Sequence, residues 1–222
     1  ALESGVPLRS IVKVSHRISQ GIVDTALEEE CNFVVIGKQK NPNFFDRIFS
    51  SLIYTVLQKS PSEAAVLHGE IPQEGVRNIL IPYGANIHTR LALEIAPALA
   101  EFFEAKLKIA VVFEYGVPKR ERDVVIHDIQ QIMKENSFVA DIAVVKESDV
   151  LKGILRLSKE ADLVLMGGRT GDLVELLFAT SLTREITEQV ACPVLWVNEY
   201  EERVSFWKSL LLPQKRKGGH NE

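Results

Sequence analysis

The chain is poor in the groups from which disulfides, metal sites and nucleic-acid interfaces are built. Its 222 residues include two cysteines, Cys31 and Cys192. Each stands beside an apolar run, where a cysteine serves more often as a small buried hydrophobe than as a disulfide partner or nucleophile. A reducing, cytosolic compartment fits that usage. The five histidines, at 16, 68, 88, 127 and 220, are scattered, without the spacing of metal ligands, so no metal is expected. Positive charge is not in excess: 26 Lys and Arg stand against 30 Asp and Glu, a net charge of −4, with a pI of about 5.8. That balance leaves no electrostatic footprint for duplex nucleic acid. No apolar run approaches the about 20 residues that cross a bilayer, and no basic, apolar, small-residue leader opens the sequence. No G-x-S-x-G elbow occurs. The acidic runs at 28–30 and 200–202 read as solvated faces, and His88 and His127 as surface or packing residues. No catalytic residue is expected, so the chain reads as non-enzymatic.

What is present is an alternation of short β-branched runs with amphipathic stretches, in a composition 46% hydrophobic and 25% charged, ordinary for a globular protein. NILIP (78–82) and KIAVVF (108–113) predict buried strands, and HTRLALEIAPALAEFFEA between them predicts a helix. RDVVIHDIQQIMKEN continues as a second helix and FVADIAVV as a third strand. Ser148 and Asp149 are candidate caps for the helix carrying Leu151, Ile154 and Leu155. ADLVLMG is the fourth strand, Ser181 opens the last helix, and PVLWV is the fifth strand. Five strands interleaved with helices over 76–198 predict an α/β, doubly wound parallel sheet in the flavodoxin-like order 3-2-1-4-5.

Residues 1–75 repeat the second half of that domain. SIVKVSHRISQGIVDTALEEECNFVVIG matches DIAVVKESDVLKGILRLSKEADLVLMG in its β-branched run, its helix with an early Gly-Ile and its strand ending in glycine. Gly37 and Gly167, Ser51 and Ser181, and AAVL (64–67) and VLWV (194–197) are each 130 residues apart. The chain therefore divides into half a repeat plus linker (1–75), a complete domain (76–198) and a C-terminal segment (199–222). In the order 3-2-1-4-5 the third strand does not touch the fourth, so the half repeat holds strands that need neighbours. Two readings stay open: a natural chain extending further at its N-terminal side, or another segment or subunit filling the gap. The first repeat is expected to be the less ordered one unless those strands are supplied. The two closing strands, at AAVL and PVLWV, are expected to associate, within one chain or between two as a homodimer.

ILIP at 79–82, RLALEIA after His88 and Thr89, the glycines after VLM, and LLFATSLTREITEQVACPVLWV resemble the universal stress protein family. The resemblance covers 76–198 as a full domain and 8–68 as a C-terminal half, and implies an adenine nucleotide alpha hydrolase-like fold. In nucleotide-binding members an aspartate after the first strand reaches the nucleoside. Glycine amides of a Gly-x-x-Gly, nine residues, Gly-Ser/Thr pattern hold the phosphates with the closing hydroxyl. Here Gly84 stands where that aspartate belongs, and Gly167, Gly168, Gly171, Thr180 and Ser181 satisfy the pattern in neither register. Glycine permits close backbone approach to an anion, whereas a β-branched threonine adds bulk. The corresponding positions of the first repeat are Gly37, Lys40, Ser50 and Ser51. Either the corner of Gly84, Gly168, Gly171 and Ser181 keeps a weak hold on ATP or a simple anion at a helix N-terminus, or the glycines only turn the chain. No cofactor is expected.

The run SIVKVSHRISQGIVDTALEEECNFVVIGKQ, with IPYGANIHTRLALEIA, is also similar to stress-protein domains appended in tandem to secondary transporters, notably amino-acid permeases and some cation/proton antiporters. That similarity implies a regulatory or assembly module at the cytoplasmic face of the membrane, its partner being the transmembrane part of the same protein. The alternative is a free cytosolic nucleotide-binding stress protein. In the C-terminal segment, Phe206, Trp207, Leu210 and Leu211 precede Pro213 and a Lys215-Arg216-Lys217 cluster. This reads either as an amphipathic helix resting on lipid or the transporter, or as a helix packed on its own domain.

Overall fold

The computed structural model describes residues 7–38, 46–84, 87–168 and 182–198. Within them lie seven strands: β1 (Phe33–Lys38), β2 (Glu63–His68), β3 (Asn78–Pro82), β4 (Lys106–Glu114), β5 (Asp141–Glu147), β6 (Leu163–Gly168) and β7 (Val194–Asn198). The helices are α1 (Ile18–Glu28), α2 (Asp46–Lys59), α3 (Ile87–Phe103), α4 (Lys119–Glu135), α5 (Val150–Leu157) and α6 (Leu182–Gln189). No described helix is long and apolar enough to cross a membrane.

All seven strands belong to one sheet, in the order β1-β2-β7-β6-β3-β4-β5. The expected five-stranded sheet is thus part of a larger one, because the half repeat contributes β1 and β2 to the same ladder. Every junction is parallel except that between β2 and β7. There the two closing strands run antiparallel, with Val66 opposite Trp196. Those residues are 130 apart, so equivalent positions of the two repeats face each other and the junction is isologous, like that of a twofold dimer.

Alternation along each strand divides the apolar side chains between two cores. Ile79, Ile81, Leu107, Ile109, Val111, Leu163, Leu165 and Val197 face one side, with Leu91, Ile95, Ile129 and Ile132 of α3 and α4 packed over them. Leu80, Ala110, Val164, Met166, Val194 and Trp196 face the other side, with Val23, Ile53, Val56, Leu57, Ile154 and Ile186 from α1, α2, α5 and α6. The central strands are therefore covered on both faces, as near-continuous apolar strands require, while Val35 of the edge strand β1 is 61% exposed.

Asp162, just before β6, accepts hydrogen bonds from the backbone N–H groups of Arg77 and Asn78, both at 2.9 Å. This fixes the start of β3 beside the start of β6. Of the two candidate caps before α5, Asp149 does the work, its Oδ1 accepting from the Leu151 N–H at 2.8 Å. The run SIVKVSH, expected as a strand, is neither helix nor strand at residues 10–15 and joins no ladder. In the sheet order two strands, β4 and β3, separate its counterpart β5 from β6, and the half repeat has neither.

An exposed ion pair joins Lys108 of β4 to Glu160 at 2.9 Å. The hydrogen bond and charge of Lys108 hold the Glu160 carboxyl below the usual carboxylate range. A lowered carboxyl pKa stabilises the fold above the unfolded value, and the contribution fades as pH falls through the folded one. Lys108→Met is expected to return the Glu160 midpoint upward in an NMR titration; an unchanged midpoint would contradict the assignment.

Candidate functional site

The direction of winding reverses between β3 and β6. The strand order turns outward on either side of this pair, and α3 after β3 and α6 after β6 pack on opposite faces. Open α/β sheets bind ligands in such a crevice, outside the carboxyl ends of the strands. Gly84 follows the end of β3, and Gly167 and Gly168 end β6. The structure therefore brings these three expected residues to the ends of neighbouring strands. Gly171, Thr180 and Ser181 lie outside the described residues, as does Lys40 of the first repeat.

Gly84 is exposed. Among the described residues a Cβ built on it meets nothing within 4 Å, and its φ lies outside the positive range. Packing by the described residues does not force a glycine here, and its backbone accepts an aspartate without strain. The missing carboxylate is a change of contact rather than a by-product of crowding. In the first repeat the analogy weakens further, because Ser51 lies inside α2, which already begins at Asp46. Its hydroxyl is not at a helix N-terminus, where unpaired N–H groups would favour an anion.

Sequence reasoning missed the pair next to Gly84. The Tyr83 hydroxyl donates to Oδ2 of Asp128 on α4, while the Tyr83 N–H continues the ladder to the Ala110 carbonyl at 2.9 Å. Asp128 brings a carboxylate near the end of β3, but it is engaged by the phenol. The only sequence signal was the amphipathic phase of α4, which places Asp128 beside buried Ile129. Tyr83→Phe is expected to lower stability by about 1 kcal/mol in urea unfolding, the net worth of one hydrogen bond; no loss would show that the pair is incidental.

Among the described residues no three His, Cys, Asp or Glu side chains gather as a metal group. An open groove lies at the other end of the sheet, between Ala105, Leu107, Phe138 and Ala140, with Glu101 and Asp141 at its rim. It is far from the switch-point glycines in the topology, since it borders the starts of β4 and β5.

No family model matches the chain, and the search of curated proteins gives no match. Solved structures do match. The cytoplasmic domain of a prokaryotic cation chloride cotransporter aligns with a TM-score of 0.60 at 15% identity, over 87% of this chain and 74% of that one. A universal stress protein from Archaeoglobus fulgidus aligns at 0.58 and 18% identity, over 82% of this chain and 67% of that one. A putative universal stress protein from Pseudomonas aeruginosa aligns at 0.54 and 14% identity, over 84% and 69%. Each alignment spans more of the chain than residues 76–198 alone, so the likeness includes both repeats. At these identities it establishes the fold, and the fold of this chain is that of the universal stress proteins.

Proposed function

We propose that the chain is a non-enzymatic tandem stress-protein module that regulates or helps assemble a membrane transporter, of the amino-acid permease or cation/proton antiporter type, from the cytoplasmic face. The observation that carries this reading is the likeness to the cotransporter's cytoplasmic domain across 87% of the chain, both repeats included. Two features of the site agree with it. Gly84 stands where the nucleoside-binding carboxylate belongs although no described residue crowds a side chain there, and the carboxylate of Asp128 on α4 is engaged by Tyr83. A module that works through protein contacts does not need either group free.

The reading is tested by fractionating cells of the native source and probing with an antibody raised against residues 76–198. Signal is expected in membranes that have been washed with alkaline carbonate, which strips peripheral proteins. Signal confined to the high-speed supernatant would overturn the transporter reading and favour a free stress protein.

A further inference from the structure

The groove at the amino ends of β4 and β5 belongs to the complete repeat and takes no part in the switch-point corner. Its volume is about 600 Å³, and Ala100 of α3, Leu107 of β4, Phe138 and Val139 give it apolar walls. Val139 is 89% exposed, and Phe102 on α3 is 70% exposed. Two tight corners frame the groove. Glu104 after α3 and Ser137 after α4 both have a φ of 54°, the left-handed turn that ends a helix abruptly. Behind each corner a bond returns to the helix, from the Ala105 N–H to the Ala100 carbonyl at 2.9 Å and from the Phe138 N–H to the Met133 carbonyl at 3.1 Å. The walls are therefore held in place before anything binds, which lowers the ordering cost of docking.

The rim is acidic. Glu101, Glu104 and Asp141 line the groove and are exposed, and none of them forms an ion pair among the described residues. An apolar trough with this rim suits an occupant that is both apolar and cationic. A second copy meeting the same face across a twofold axis would set these three carboxylates against themselves, and an anionic lipid surface would be repelled by them.

Residues 199–222 lie outside the described residues, but their sequence supplies the complementary chemistry. The run 203–218, RVSFWKSLLLPQKRKG, holds five cations and no acidic residue in a chain of net charge −4. Taking those five from −4 leaves −9 on the other residues. We infer that this segment folds back onto its own domain: Leu210 and Leu211 enter the groove, and Lys215, Arg216 and Lys217 meet Glu101, Glu104 and Asp141 at its rim.

The chain is long enough. Asn198 pairs with Gly168, Val164 with Leu80 and Leu80 with Lys108, so the end of β7 is level with Val112, five residues above Leu107. β4 is the third strand from β7 in the order β7-β6-β3-β4. At about 3.3 Å per residue and about 4.8 Å per strand, the groove lies roughly 22 Å from Asn198 in the plane of the sheet. Residues 199–209 span up to about 36 Å when extended, enough to pass α3 and bring Leu210 to the groove. The inference does not rest on the transporter reading, since both partners belong to this chain.

Hydrogen exchange by mass spectrometry on the full chain at low concentration tests it. Two variants change only exposed residues of the groove and leave the segment itself untouched: Glu101→Lys with Glu104→Lys, and Val139→Lys. Unaltered exchange at 79–82 and 107–113 verifies that each keeps the fold. Amides of residues 206–212 are expected to exchange roughly tenfold or more slowly in the unmodified chain than in each variant. Equal exchange in all three overturns the proposal. So does slowing that appears only with vesicles of anionic lipid, or only at concentrations where the chain dimerises, because the segment would then cover a lipid surface or a second copy.

Discussion

Replacing Trp196 by alanine is expected to lower the stability of the chain by about 3–5 kcal/mol, the range for truncating a large buried aromatic side chain. Trp196 is 4% exposed and sits in β7 between Val66 of β2 and Met166 of β6. It packs in the core shared by α1, α2, α5 and α6, so helices of both repeats lose contact when it is removed. The loss should reach both sides of the seam: exchange at 63–68 and at 163–168 should quicken together in the variant. The indole Nε1 is buried without a hydrogen-bond partner among the described residues. Trp196→Phe therefore removes an unsatisfied donor along with some volume, and should cost less than about 1.5 kcal/mol. Urea unfolding measures both variants. A loss below about 1 kcal/mol for alanine would mean that the seam is not a shared core.

Gly153→Ala is expected to destabilise by up to about 2 kcal/mol, although alanine is the better helix former by about 1 kcal/mol. A Cβ on Gly153 would stand 2.6 Å from Cγ1 and 2.8 Å from Cγ2 of Val112. Val112 cannot turn aside easily, because a β-branched side chain has few χ1 positions and β4 is held in the sheet by β3 and β5. Overpacking of this kind costs about 1–3 kcal/mol before the helix gain is subtracted. Gly21, at the matching turn of α1, is the control. Its Cβ would meet the Cβ of Ser15 at 3.0 Å, on a segment outside any ladder that can yield. Gly21→Ala should be neutral or slightly stabilising, so equal losses at both glycines would contradict the close-approach explanation.

The local elements were legible because each carries its own period. NILIP is a strand over the same five residues in pattern and in structure, and the 3.6-residue spacing through RDVVIHDIQQIMKEN marks most of α4. The equivalence of the two closing strands was also legible, from the constant spacing of 130 residues. What the sequence could not show is whether a run of strand-like residues finds a neighbour. SIVKVSH has the alternation of a strand, but a ladder needs a second chain segment, and residues 10–15 have none. The joining of both repeats into seven strands depends on the pairing of Val66 with Trp196, a contact between distant residues that no local pattern records. At the site, the meeting of Gly84 with Gly167 and Gly168 at neighbouring strand ends followed from the α/β alternation. The Tyr83–Asp128 bond spans 45 residues and had no motif to announce it.

On the proposed reading the chain keeps the stress-protein fold without the nucleoside contact at Gly84, and binds no nucleotide with micromolar affinity. Losing one hydrogen bond to a charged group weakens binding by about 1.5–3 kcal/mol, or roughly ten- to a hundredfold or more. Calorimetric titration of the unmodified chain with ATP and magnesium tests this most directly, with a Gly84→Asp, Thr180→Gly variant beside it. The account predicts no micromolar binding by the unmodified chain and tighter binding by the variant. Micromolar binding by the unmodified chain would contradict the claim and restore the nucleotide sensor as the reading of the site.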